Sequence, residues 1–304
     1  MDLAIDVARG RALASRLHAL FSVTGAGILG HKTMPEDEPP AGVVRASLQH
    51  LLFITLTVAI DYQRDAPQLW TASRAAYADP VTRYLYEPAA LHATPFSKIV
   101  ADLHATGVSR KPRKDADIWH TVGIAFLKKY GGDPRRLLGA CNHHAPTVLA
   151  RLQNDTHLQR DRPVPDFPFL RGPKIGPLWL RMLRDNVGVA LHGMQEIPIP
   201  VDVHVARATF TTGVVRGEYQ GPVGPAFRQV RAAWKQAVVG MDVPGPRPMV
   251  ALDVDEPLWH LSKYGCSPGR SVAGGCCHRP RCPAGGECMA GLVQVSASKI
   301  EVRT

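Results

Sequence analysis

The sequence predicts a mainly α fold. Apolar residues recur at helical spacing from residue 3 to about residue 153, and alternating strand patterns are few. With 304 residues and 45% apolar content, the chain can bury a substantial core in one large domain or two smaller ones.

The first helical pattern covers 3–21, with Arg9, Arg11 and Arg16 among its polar positions. A Pro- and acid-rich break, "MPEDEPP" at 34–40, separates it from an apolar helix at about 44–60. Helices are expected near 67–77, 80–87, 97–105, 115–130, 134–140 and 145–153. Pro163, Pro165 and Pro168 then mark an extended approach to "FLRGPKIGPLWLRML" at 169–183. Pro198 and Pro200 extend the chain again before Asp202, which is placed to cap the next helix. Residues 291–304 read as a tail, and there is no internal repeat or long low-complexity tract.

Composition limits the function classes. The longest apolar run, "LLFITLTVAI" at 51–60, is about half of the roughly 20 residues a bilayer needs, so no membrane span is expected. Acids and arginines in "MDLAIDVARGR" interrupt any signal-peptide pattern, so the chain reads as intracellular. A disulfide knot is then the minor reading of its cysteines. The net charge of +10 and pI near 9.5 favour a polyanionic partner, most simply nucleic acid. Basic clusters occur at "SRKPRK" (109–114), "KK" (128–129), "RR" (135–136) and "HRPR" (278–281). Each alone reads as a solvated face; only their meeting on one surface would make a binding site.

Three segments carry candidate chemistry. Gly172, Pro173, Ile175 and Gly176 form a tight hairpin before a helix expected to start near Pro177. Free amides at such a helix start can dock a phosphate, with Lys174 adding a charge contact; an ordinary helical corner explains the same residues. Asp202 in "IPIPVDVHVAR" could stabilise a developing cation or orient a water, although capping alone accounts for an Asp there. Five of the six cysteines, Cys266, Cys276, Cys277, Cys282 and Cys288, fall within 266–288, which implies a local metal or iron–sulfur site. "CNHH" at 141–144 offers metal-ligand types as well, but reads as a helix end.

The order of these segments resembles the helix-hairpin-helix DNA glycosylases of the endonuclease III type. "LRGPKIG" stands for the hairpin, "VDVHVAR" for the family's V-D-T-H-[VI]-x-R motif, and "KYGC" for the approach to its four-cysteine loop. The resemblance spans roughly 45–290 and is strongest at 169–210 and 258–288. It implies a two-lobed α fold: a helical barrel domain at 45–195 carrying the hairpin, and a lobe made of 1–44 with 196–290. It further implies double-stranded DNA as partner, a monomeric protein, a nucleotide flipped out of the duplex, and Asp202 as the catalytic carboxylate. Gly172, Lys174 and Gly176 become DNA contacts. Tyr62 or Gln63 takes the position of the residue that wedges into the duplex, and Arg279 and Arg281 reach phosphates.

Two departures from the family pattern are informative. The Schiff-base Lys of lyase-competent members is replaced by Leu178, which predicts a monofunctional glycosylase. The cysteine intervals also differ. Nine residues separate Cys266 from Cys276, four separate Cys277 from Cys282 and five separate Cys282 from Cys288; only the last agrees with the family's C-x6-C-x2-C-x5-C loop. The resemblance implies a [4Fe–4S] cluster on Cys266, Cys276 or Cys277, Cys282 and Cys288. Structural zinc is the alternative, although the short C-x-x-C pairs usual for zinc are absent. Two other functions stay open: a catalytically inactive DNA-binding relative, and a non-enzymatic zinc or iron–sulfur protein.

Overall fold

Capping residues and prolines set where most helices begin. The computed structural model describes residues 2–266, 278–289 and 291–304. Strand β1 (Asp2–Ile5) leads into α1 (Val7–His18), whose cap Asp6 accepts from the Arg9 amide. Next come α2 (Leu48–Ala59), capped by Ser47, and α3 (Ala66–Ala78), capped by Asp65 with Pro67 in its first turn. Then follow α4 (Pro88–Ala93), α5 (Phe96–Ala105) and the long α6 (Pro112–Tyr130), which Gly131 ends in the left-handed conformation. Asp133 and Pro134 start α7 (Pro134–Ala140), and α8 (Ala145–Asn154) follows. A hairpin of β2 (Thr156–Gln159) and β3 (Arg162–Pro165) precedes α9 (Ile175–Met182) and α10 (Val203–Thr211). The chain closes with β4 (Val215–Pro222), α11 (Val223–Val238), α12 (Asp255–His260), β5 (Leu292–Val295) and β6 (Lys299–Arg303).

The chain is mainly helical, as its periodicity predicts, and divides into two units: Met1–Thr33 with Ile197–Thr304, and Met34–Glu196. In the second unit α2 is buried on every side from His50 to Ala59. The apolar run that is too short for a bilayer is thus a core helix, and no helix among the described residues is long and apolar enough to cross a membrane. Around it lie the buried Trp70, Tyr86, Trp119, Phe126, Phe167 and Trp179. Each such side chain contributes about 1.5–3 kcal/mol by leaving water. Three of the four indole and phenol groups keep hydrogen bonds inside: Trp179 donates to Thr55 Oγ1 at 2.9 Å, Trp119 to the Leu85 carbonyl at 2.7 Å, and Tyr86 to the Ser73 carbonyl at 3.0 Å, whereas Trp70 Nε1 has no hydrogen-bond partner among the described residues.

The segment read as a break, 34–40, is in part core. Glu36 is buried and pairs with the buried Arg181 of α9 at 2.5 Å, and Asp37 accepts from Asn186 at 2.8 Å. Burial raises the Glu36 pKa, while the Arg181 guanidinium pulls it back down. Composition marks this segment only as a break between helices. A single buried arginine across 145 residues of chain decided otherwise.

In the first unit, β1, β4, β6 and β5 form an antiparallel sheet in that order. The expectation of a tail at 291–304 is therefore corrected. Lys299–Arg303 pairs with β4 from Pro222↔Lys299 to Glu218↔Arg303 and buries Ile300 and Val302 completely. Five residues of alternation are too few to stand out until a partner strand fixes which face is inside. The helix pattern at 3–21 likewise begins in a strand, because β1 pairs with β4 from Asp2↔Glu218 to Ile5↔Val215. The buried side chains of α1, α10, α11 and α12, with Trp234 donating to Thr209 Oγ1 at 2.8 Å, make one core with this sheet.

Candidate nucleic-acid interface and candidate catalytic carboxylate

The hairpin before α9 starts its helix at Ile175 rather than near Pro177, with Lys174 as the cap residue. Gly176 is required for packing: a Cβ there would lie 2.6 Å from the Leu170 carbonyl oxygen and 2.7 Å from Leu149 Cδ1. Two hairpin amides are used internally, Gly172 donating to Phe169 O at 2.8 Å and Gly176 to Gly172 O at 3.1 Å. The glycines therefore shape the turn, and the charge it offers is that of Lys174. Its Nζ donates to the Asp61 carbonyl at 3.1 Å, which joins the hairpin to the loop after α2.

That loop carries Tyr62 and Gln63. Tyr62 stacks on Phe169 of the hairpin approach at a centroid distance of 4.2 Å, and its hydroxyl donates to Asp115 Oδ1 at 2.6 Å. Burial and the Asp115 carboxylate both raise the Tyr62 pKa, so the phenol stays protonated. Lys111 and Lys114, both from "SRKPRK", lie over the Tyr62 ring at 5.0 and 5.3 Å, and Lys114 lies 5.1 Å over Phe169. Gln63 is exposed at φ 50°, and Lys111 Nζ donates to its Oε1 at 2.9 Å. One basic cluster thus meets an aromatic pair, the hairpin lysine and the exposed Gln63 on a single surface of the Met34–Glu196 unit. Phe169, at φ 65°, has no sequence signal that ties it to Tyr62.

In the other unit Asp202 caps α10. Its Oδ1 accepts from the His204 amide at 2.8 Å and the Val205 amide at 2.9 Å. Both bonds use one oxygen, and Oδ2 has no hydrogen-bond partner among the described residues. Five residues on, Arg207 donates to Ser262 Oγ at 3.1 Å. Burial lowers the Arg207 pKa, while the nearby Asp202 and Cys266 raise it. His204 Nδ1 lies 3.2 Å from the same Ser262 hydroxyl, with its ring 5.5 Å from Trp259.

Of the expected cluster ligands, Cys276 and Cys277 lie outside the described residues. Cys266 and Cys282 are half-buried against the core of their unit, and Cys288 is half-buried as well. The segment bearing Cys282 and Cys288 is tied to α1, because Arg16 donates to Pro283 O at 2.8 Å and pairs with Glu287 at 2.6 Å, and Arg9 donates to Glu287 O at 2.9 Å. Within it Arg279 donates to Gly285 O at 3.1 Å, whereas Arg281 is exposed and its side chain makes no hydrogen bond among the described residues. "CNHH" forms the turn from α7 to α8: Cys141 is buried, and His144 Nδ1 lies 2.7 Å from Thr147 Oγ1. No known protein-family model matches the chain, and no curated protein matches it in sequence.

Proposed function

We propose that the protein is a DNA glycosylase of the helix-hairpin-helix kind, which removes a damaged, mismatched or modified base by hydrolysing its N-glycosidic bond. The observation that carries this reading is the meeting of the hairpin with the Tyr62 loop. An aromatic pair flanked by Lys111, Lys114 and Lys174 suits a nucleic acid, because ammonium groups attract phosphates and ring faces stack on bases. Tyr62 or Gln63 fills the gap left by the flipped nucleotide.

Asp202 then does the chemistry. Its Oδ1 is fixed by two amides, which orients Oδ2. That oxygen stabilises positive charge on the sugar as the base leaves, and accepts a proton from the water that adds to the sugar carbon. The departing base takes up the proton released overall. Leu178, buried in α9, offers no nucleophile, and Lys174 is engaged with the Asp61 carbonyl, so no Schiff base forms.

Cys266, Cys282 and Cys288, with Cys276 or Cys277, are the ligands we assign to a [4Fe–4S] cluster, with structural zinc as the rival. Among the described residues no three His, Cys, Asp or Glu side chains converge on a metal site, so the assignment rests on the grouping of five thiols within 266–288 and needs Cys276 or Cys277. A metal held by these cysteines would tie the segment bearing Cys282 and Cys288 to Cys266. Absorbance near 400 nm, as an order-of-magnitude signature of iron–sulfur charge transfer, supports the cluster; stoichiometric zinc in a colourless protein overturns it.

The deciding experiment is a panel of duplexes with different lesions, each followed by alkaline cleavage of abasic sites. Product is expected after alkali for the wild type and not for Asp202→Asn, with no borohydride-trapped adduct. Base release by Asp202→Asn at the wild-type rate sinks the mechanism. Duplex binding without release from any lesion favours the inactive relative.

A further inference from the structure

Beside the Tyr62–Phe169 stack lies a cavity of about 180 Å³, whose lining sets the cations Arg64, Arg110 and Lys111 against one carboxylate, Asp115, with Ile60, Tyr62 and Gln63 completing the wall. We infer that this cavity is an anion site that takes a tetrahedral phosphate group. The inference rests on the DNA-binding reading for its source and on the cavity itself for its chemistry.

The buried Asp115 is the obvious objection, because a carboxylate repels an anion. Its charge is already met by four donors: Tyr62 Oη and, on the other oxygen, Ser109 Oγ and the Arg110 and Lys111 amides, each at 2.9 Å. The cations are less satisfied. Arg64 is drawn by the Asp61, Asp115 and Asp65 carboxylates and donates through both terminal nitrogens, to the Val108 and Gly107 carbonyls, while its Nε is buried without a hydrogen-bond partner among the described residues. Burial lowers the Arg64 pKa, the Asp61 and Asp115 carboxylates raise it, and the nearby Arg110 lowers it further; Arg110 itself is exposed and makes no side-chain hydrogen bond among the described residues. Lys111 lines the cavity and is the cap residue of the 19-residue α6, so the positive end of that helix adds to the field. Guanidinium N–H groups match phosphate oxygens in geometry as well as charge. Gln63, at φ 50°, and its bond to Lys111 hold one wall in an uncommon conformation of the kind found at binding sites.

The probes are an undamaged duplex and inorganic phosphate, and the variant is Arg110→Gln in the full chain. Its amide still donates to Asp115, so the fold is kept. If the phosphate belongs to the DNA backbone, the slope of log K against log salt falls by about one for Arg110→Gln. Inorganic phosphate would also raise the wild-type melting temperature relative to chloride at equal ionic strength, and leave Arg110→Gln unmoved. Stabilisation by phosphate with an unchanged DNA slope assigns the cavity to a free phosphate. An unchanged slope with no phosphate stabilisation overturns the inference while leaving the glycosylase reading intact. If the wild type binds no duplex, that reading falls, and the phosphate melt alone decides the cavity.

Discussion

Around Tyr62, contacts reach far along the chain: Lys174 meets Asp61 across 113 residues, and Tyr62 meets Asp115 across 53. Around Asp202, two amides only two and three residues ahead do the positioning. The first arrangement exists only if the whole Met34–Glu196 unit is folded. The second needs little more than the start of α10. Binding by the first should therefore be sensitive to the stability of its unit, whereas the Asp202 carboxylate should keep its pose through distant changes.

The largest expected effect separates chemistry from capping. Asp202→Asn keeps an N-cap acceptor, so its melting temperature should match the wild type, while single-turnover base release falls by about 10²- to 10⁴-fold. Asp202→Ala should lose the same activity and in addition about 1 kcal/mol of stability. A rate for Asn near the wild type would reduce Asp202 to a cap.

Next comes the pair that holds 34–40 to α9. Arg181→Met leaves Glu36 buried without its partner and should cost about 3–5 kcal/mol in urea unfolding. Glu36→Gln combined with Arg181→Met should recover much of that loss. Equal costs for the single and double variants would mean that the pair is not coupled.

Smaller effects probe the aromatic surface and the core beneath it. Tyr62→Ala removes the ring stacked on Phe169 and should weaken duplex binding by about 1–3 kcal/mol, read by fluorescence anisotropy. The last concerns pH. Burial lowers the pKa of His50, at the start of α2, from 6.5 to about 4, with Arg45 adding to the shift. The imidazole is then neutral in the folded chain and charged in the unfolded chain below 6.5. Its contribution to stability is complete above that pH and is lost as pH falls toward 4. Melts across this range should show the decline, and His50→Leu should flatten it.

Helix positions from α1 to α3 and from α5 to α10 were largely legible in the sequence, because periodicity and caps are local, whereas α4, α11 and α12 were not, and the helix expected at 80–87 is only a short turn at Arg83–Tyr86. Ser47, Asp65, Asp133 and Asp202 each cap the helix that follows them. The sheet was not legible: β6 is short, β4 ("VRGEYQGP") is polar and glycine-rich over its eight residues, and their alternation acquires an inside only once they pair. "SRKPRK" was visible as charge, but its place beside Tyr62 was not, since nothing in its own residues points to position 62. Phe169 was missed for the same reason.

The sequence by itself determined the mainly α character, the hairpin at 172–176 and the cap at Asp202, since each depends on residues within a turn or two of one another. Only the tertiary structure decided that Glu36 is core, that residues 299–303 complete a sheet, and that Lys111, Lys114 and Lys174 share a surface with Tyr62 and Phe169. Those are contacts between distant segments. Burial and pairing across the chain select them, and no local preference encodes them.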